Sequence, residues 1–191
     1  MIAVMNSSDR ICRHLHLPLQ AGSDAVLKAM NRHYTVAEYE ALIARLRSRI
    51  NGLTVSTDLI LGFPGETEAL FEDTMETLKR LNFSHIHAFP YSPRKGTPAA
   101  TMEGQIDTAE KKRRVELVNE LSARQKAALL ESLVGTNALV LVETQEGTDG
   151  EGFTGNYERV ALSGLSEGAR GTVVSVALVG TDGKKLLGKA L

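Results

Sequence analysis

Histidine, glutamine, aspartate and aromatic residues recur at alternate positions in three short apolar stretches: HLHLPLQAGSD (His14 to Asp24), LTVSTDLILGF (Leu53 to Phe63) and SHIHAFPY (Ser84 to Tyr91). Imidazoles titrate near neutrality and serve as acid, base or metal ligand. In an extended chain His14 and His16 share one face, as do His85 and His87. Two such pairs could meet across strands, yet no acidic or thiol ligand accompanies them at helical or hairpin spacing, so no metal is expected. A small α/β enzyme using these histidines as acid and base is a further reading, against which no serine, cysteine or paired carboxylate stands at recognisable spacing. LILGFPGET (Leu59 to Thr67) joins a strand end to a helix start, where backbone N–H groups can meet a carboxylate, a ribose or a phosphate. It carries no phosphate-loop or dinucleotide fingerprint, and a tight turn needing glycine dihedrals explains it equally.

These groups must be positioned by the elements around them. Ser23-Asp24 is a helix start before AVLKAM, and Thr35-x-x-Glu38 is a capping box followed by Tyr39, Leu42, Ile43, Leu46 and Ile50 at helical spacing. Asn51-Gly52 closes that helix, and a buried strand then runs to Pro64-Gly65. Leu70, Phe71, Met75, Leu78 and Leu81 mark a second helix, before the strand Ser84 to Tyr91. Alternating strands and helices with short connections predict a parallel sheet with crossover helices. One face of the strands takes Leu15, Leu17, Leu19, Val55, Leu59, Leu61, Ile86 and Ala88, interrupted by Thr57. The other takes His14, His16, Pro18, Gln20, Thr54, Ser56, Asp58, Gly62, His85, His87, Phe89 and Tyr91. A parallel sheet covered on both sides would make both sets apolar. A barrel-type sheet covered on one side predicts this division and places the chemistry at the carboxyl ends of the strands. Asp107-x-x-Glu110 opens a long helix reaching about Val134, after which β-rich runs split by glycine turns predict a small antiparallel barrel. The expected domains are 1–127 and 128–191.

The 191 residues, 42% hydrophobic and 24% charged, suit a soluble globular protein, and the formal charge of −1 gives no whole-chain pull toward nucleic acid or membrane. The single cysteine, Cys12, excludes an internal disulfide framework and a site built from several thiolates, and fits a reducing cytoplasm. No apolar run is long enough to span a bilayer, and the opening residues are too few for a signal core. A cytoplasmic location with no membrane partner is expected.

In order and spacing, HLHLPLQAGSD, LKAMNRHYT, STDLILGFPGET, HAFPYSPRKGTPAA and the β-rich tail resemble the radical S-adenosylmethionine methylthiotransferases over Arg10 to Leu191. RHLHLPLQ and HAFPYS are most similar to the branch acting on N6-threonylcarbamoyladenosine (t6A) beside the tRNA anticodon; sister branches act on isopentenyladenosine in tRNA or on ribosomal protein S12. The resemblance implies a partial TIM-type barrel followed by an RNA-binding TRAM domain, an OB-like β-barrel. It also implies S-adenosylmethionine, two four-iron, four-sulfur (4Fe-4S) clusters, the tRNA anticodon stem-loop, a sulfur donor and an electron donor in the intact protein. The family's radical cluster needs a Cys-x-x-x-Cys-x-x-Cys loop and its auxiliary cluster three more thiolates, whereas this chain has only Cys12. A full barrel takes about 250 residues and about 100 here read as barrel. The sequence is therefore expected to be a carboxy-terminal portion beginning before the parent's fourth strand, binding no cluster, inactive alone, and prone to self-association through strand edges near Ile11 to Leu19.

By resemblance and strand-end placement, Gln20, Ser23 and Asp58 face S-adenosylmethionine or the substrate base, Gly62 and Gly65 let backbone approach the nucleoside, and Phe89 and Tyr91 stack on adenine. Asp58 serves equally as a turn cap. Arg94 and Lys95 meet tRNA phosphate or the threonyl carboxylate, or stand as ordinary surface charge. Residues 128–191 hold five Lys/Arg against eight Asp/Glu, so RNA contact there needs a local patch, for which Arg159, Lys184, Lys185 and Lys189 are the candidates. Lys111-Lys112-Arg113-Arg114 is a second candidate patch. A stand-alone RNA-binding module remains the alternative to an enzyme portion.

Overall fold

The computed structural model describes residues 1–8 and 10–191. Helix α1 (Ile2–Asn6) precedes β1 (His14–His16), α2 (Asp24–Ala29), α3 (Val36–Arg49), β2 (Thr54–Leu61), α4 (Glu68–Leu81) and β3 (His85–Pro90). A 3-10 turn at Pro98–Thr101 leads into the long α5 (Thr108–Leu133), and β4 (Asn137–Glu146), β5 (Asp149–Thr154), β6 (Arg159–Ser163), β7 (Val173–Thr181) and β8 (Leu186–Ala190) complete the chain. No helix among the described residues is long and apolar enough to cross a membrane.

The first three strands form a sheet in the order β1-β2-β3, with β2 and β3 parallel and Asp58 opposite His87. The β1 ladder is shorter than the alternation predicts, because Pro18 has no N–H to donate. Pairing resumes beyond it, where the Gln20 N–H donates to the Asp58 carbonyl (3.0 Å) and the Gln20 carbonyl accepts from Ile60 N–H (2.9 Å). Between them the Leu19 N–H donates to Thr57 Oγ1 at 2.8 Å, which accounts for a hydroxyl in an otherwise apolar row. Val55, Leu59, Leu61 and Ile86 are buried on that face. Removing each from water stabilises the fold by about 1.5–3 kcal/mol.

The helices obey the local signals. At α3 the Thr35 N–H donates to Glu38 Oε2 (2.8 Å) and the Glu38 N–H donates to Thr35 Oγ1 (3.2 Å), a reciprocal capping box. Helix α4 starts at the Thr67 cap and ends at Asn82, whose left-handed φ of 47° stops it. At α5 the Asp107 carboxylate accepts from Ala109 N–H, while Glu110 turns to Arg113 and Arg114 instead of returning to the cap.

The last five strands close into a barrel in the order β4-β5-β6-β8-β7, antiparallel except for the β6–β8 pair. Val140, Val142, Val160, Leu162, Val176, Leu178 and Leu186 alternate inward, and Leu130 of α5 packs with them. The fold class is thus a partial TIM-like parallel sheet plus a small OB-like barrel, as the sequence predicts. The chain divides into two compact units. One comprises Met1–Leu15, Arg47–Thr54 and Ala123–Leu191; the other comprises His16–Leu46 and Val55–Ser122. The division falls inside α5, and residues 1–15 and 47–54 group with the barrel, an arrangement that a boundary drawn at 127/128 along the sequence does not describe.

Candidate functional site

At the carboxyl end of β2 the chain turns through Gly62 and Gly65, both at positive φ (71° and 84°). Glu66, 1% exposed, folds back so that its Oε2 accepts the Gly62 N–H at 2.5 Å. Arg114 reaches in from α5, donating from Nη1 to the Glu66 carbonyl (2.8 Å) and to Oε2 (3.0 Å). Burial pushes the Glu66 carboxyl above its ordinary range, opposed by the Gly62 N–H and by Arg114. Lys111 lies one helical turn earlier on the same face, and its stem covers Gly62 so closely that a Cβ there would sit 2.4 Å from Lys111 Cγ. Its Nζ stands 5.2 Å from the centre of the Tyr91 ring. This removes Lys111 and Arg114 from the candidate RNA patch Lys111 to Arg114: both are buried, while Arg113 is held by Glu68 and Glu110 and Lys112 stays exposed. Positions i and i+3 share a helix face, and here that face locks the glycine turn.

Past β3, residues Ile60, Phe89, Pro90, Tyr91, Ser92, Arg94, Thr97 and Ala99 line a cleft of about 620 Å³. Phe89 is half exposed, and Tyr91 packs edge-on against Phe63 at 5.2 Å with its hydroxyl buried and without a hydrogen-bond partner. Lys95 is exposed just beyond. Phe89, Tyr91 and Arg94 are therefore brought together. Gln20 and Ser23 line other surfaces. Gln20 has a positive φ of 71°, and its Oε1 accepts from Arg32 Nη2 at 3.0 Å. Ser23 is buried at the start of α2, beside Gly22, whose carbonyl accepts from Thr77 Oγ1. Asp58 is aimed at neither cleft nor turn: its Oδ2 lies 3.3 Å from His16 Nε2.

On the barrel, Arg159 and Lys185 both meet Glu151, at 3.2 and 2.6 Å, so much of their charge is offset locally. Lys184 and Lys189 are exposed. The feature that charge counting missed is a column of planar groups. The Arg159 guanidinium covers Phe153 (5.3 Å), Phe153 stacks on Tyr157 (4.9 Å, 20°), and Tyr157 stacks on His14 (5.1 Å, 28°). Tyr157 is 55% exposed and holds φ at 67°. The turn beneath it is fixed by Arg13 N–H to the Gly155 carbonyl (2.6 Å) and Thr54 Oγ1 to the Asn156 carbonyl (2.6 Å). The sequence signal for it was present in FTGNYER, two aromatics bracketing a Gly-Asn turn beside an arginine.

Residues 2–78 match the sequence pattern of the radical SAM superfamily. A tRNA-2-methylthio-N(6)-dimethylallyladenosine synthase of Moorella thermoacetica is 46% identical over 155 residues, covering 81% of this chain and 35% of the relative. The threonylcarbamoyladenosine tRNA methylthiotransferase MtaB of Bacillus subtilis is 39% identical over 187 residues, covering 94% of this chain and 41% of the relative. A tRNA-2-methylthio-N(6)-dimethylallyladenosine synthase of Desulfitobacterium hafniense is 38% identical over 192 residues, covering 99% of this chain and 43% of the relative. The chain belongs to the radical SAM methylthiotransferase family. It spans between 35% and 43% of the length of these relatives. Both kinds of relative are represented, and what they share is the family.

Radical SAM methylthiotransferases imply 4Fe-4S clusters, and the residues of this chain do not fit one. Such clusters are held by several cysteine thiolates, and here the single exposed Cys12 is the whole thiol complement. S-adenosylmethionine fits better. The cleft offers an exposed aromatic face at Phe89, a buried unpaired hydroxyl on Tyr91 and a cation at Arg94.

Proposed function

We propose that this chain supplies the nucleoside-facing strands and the RNA-holding barrel of a cytoplasmic tRNA-modifying methylthiotransferase that adds a methylthio group to C2 of t6A next to the anticodon. The observation that carries this reading is the cleft at the end of β3, where Phe89, Tyr91 and Arg94 converge in a chain that also carries a closed five-stranded barrel. An aromatic face beside a cation suits an adenine bearing a carboxylate. Phe89 and Tyr91 stack on the adenine of S-adenosylmethionine, and Arg94 with Lys95 receives the threonyl carboxylate or a phosphate. Gln20, Ser23 and Gly65 are the remaining residues proposed to meet S-adenosylmethionine, whereas Lys111 covers Gly62 and Asp58 turns to His16. S-adenosylmethionine supplies the methyl group and the radical precursor. The cluster, sulfur and electron supply lie with residues other than these, so the chain alone is expected to bind and not to turn over.

The barrel holds the anticodon stem-loop through Lys184 and Lys189, with Arg159 and Lys185, and through the column that runs from Arg159 by way of Phe153 and Tyr157 to His14. Stacking on an aromatic side chain contributes about 1–3 kcal/mol per base. Filter binding of a tRNA anticodon stem-loop across a salt series tests this. Tyr157→Ala is expected to weaken binding by about that amount with an unchanged salt slope, whereas Lys184→Ala and Lys189→Ala each lower the slope by about one. Loss of neither affinity nor slope in any of the three would remove the barrel from RNA binding. A second reading, dimethylallyladenosine as the substrate base, is favoured by the 46% identity to the Moorella protein. Tighter binding to a stem-loop carrying that base than to one carrying t6A would select it.

A further inference from the structure

The parallel register assembles a group of side chains that no spacing in the sequence announces. His16 Nε2, the Asp58 carboxylate and a ring nitrogen of His87 come from three adjacent strands and lie within 4.8 Å of one another. Asp58 is paired in register with His87. His16 Nε2 stands 3.3 Å from Asp58 Oδ2, and the His16 and His87 rings meet edge-on at 5.7 Å. We propose that His16, Asp58 and His87 form a binding site for a divalent transition-metal ion of the zinc class, with at least one coordination position open to solvent.

Four physical features support the site. Two imidazoles and one carboxylate are a donor set that takes zinc or ferrous iron while leaving positions for water or substrate. Bonds of about 2.0–2.1 Å in tetrahedral geometry put ligand atoms about 3.3–3.4 Å apart, and the His16–Asp58 separation of 3.3 Å already matches. His87 closes the remaining distance by a side-chain rotation, and it is exposed enough to make one. The outer contact is also in place: His16 Nδ1 is within hydrogen-bond distance of Ser56 Oγ, at 3.0 Å. When Nδ1 carries the proton, Nε2 presents a lone pair to the carboxylate, and a cation between them relieves the repulsion of two electron-rich atoms. His85 stacks edge-on with His87 at 4.3 Å and limits where that ring swings. The open face of the site suits a polarised water or a coordinated oxygen of a small ligand.

This inference rests on the geometry of three side chains brought together by the strand register and makes no use of the nucleoside reading, so it is tested without RNA or S-adenosylmethionine. Zinc chloride titrated calorimetrically into the metal-stripped full chain is expected to give saturable uptake of one ion per chain. Cobalt is expected to give visible d–d absorption that zinc abolishes. In the unmodified chain, side-chain nitrogen spectra should show zinc shifting His16 and His87 and leaving His33 in place. His16→Gln, Asp58→Asn and His87→Gln should each weaken zinc binding by at least about tenfold with unchanged far-ultraviolet circular dichroism, and His33→Gln should not. Absence of saturable uptake, or zinc shifts at His33 in place of His16 and His87, overturns the proposal, as does undiminished affinity in the three variants.

Discussion

Arg114→Met is expected to destabilise the parallel-sheet unit by about 3–5 kcal/mol, the usual cost of leaving one member of a buried ion pair without its partner. Both side chains are almost wholly enclosed, Arg114 at 4% and Glu66 at 0% side-chain exposure. Arg114 also donates to the Glu66 carbonyl, so the substitution strips a backbone acceptor as well. Glu66→Gln/Arg114→Met should recover much of the loss, because the amide carries no charge and its oxygen still accepts the Gly62 N–H. The pH dependence gives a second reading of the same experiment. Burial raises the Glu66 carboxyl above its ordinary value, so the stability associated with its neutral form is fully present below the unfolded pKa and is lost as pH rises through the folded one. Removing Arg114 removes a group that opposes this rise. Arg114→Met should therefore regain stability on acidification relative to the parent chain, and the double variant should not. Urea denaturation between pH 4 and pH 8 checks both. Equal stability of parent and single variant would mean that the glycine turn is held by something other than this pair.

The same pair marks a limit of what periodicity reveals. The division of each strand into an apolar and a polar face was legible, since Val55, Leu59, Leu61 and Ile86 alternate with Ser56, Asp58, His85 and His87 in plain order. Capping at Thr35 was equally legible, because a side chain satisfying a backbone N–H three residues on is a local event. The inward turn of Lys111 and Arg114 was not. A run of four cations has no apolar face to announce, and its direction is decided by Gly62 and Glu66, about fifty residues earlier in the chain. The histidine cluster was hidden for a related reason. His-x-His fixes a face, but only the register placing Asp58 opposite His87 supplies the carboxylate between the two imidazoles. FTGNYER shows two aromatics about a Gly-Asn turn, but their stacking follows from the positive φ that Tyr157 adopts in the folded turn. Of the residues assigned to one nucleoside site, Phe89, Tyr91 and Arg94 share a cleft because they follow one another out of β3. Gln20 and Ser23 diverge because the chain after Leu19 bends away into α2.

Gly152→Ala is expected to cost about 3 kcal/mol or more and to open the barrel between β4 and β5. Inward positions of β5 face a closed barrel of only five strands, and the atom nearest to a Cβ at Gly152 is the Leu141 carbonyl oxygen, at 2.1 Å. Val140 Cγ1 follows at 2.8 Å. A flexible side chain can rotate out of such an overlap; a carbonyl engaged in a strand ladder can move only by carrying its strand with it. The bulge between Val142 and Thr144 already sits next to this point, so β4 has little further slack. Gly155→Ala is the matched comparison, because nothing lies within 4 Å of a Cβ there and its backbone is not left-handed. It should change stability by less than about 0.5 kcal/mol. Hydrogen exchange separates a local from a global effect: in Gly152→Ala the amides of β4 and β5 should lose protection while those of β2 and β3 keep it. Because β5 also carries Phe153 and Glu151, the proposed RNA binding by the barrel predicts that affinity falls together with that protection. Full protection of β4 and β5 in Gly152→Ala would show that the barrel absorbs a methyl group at its tightest contact, and the closed geometry would then no longer account for glycine at this position.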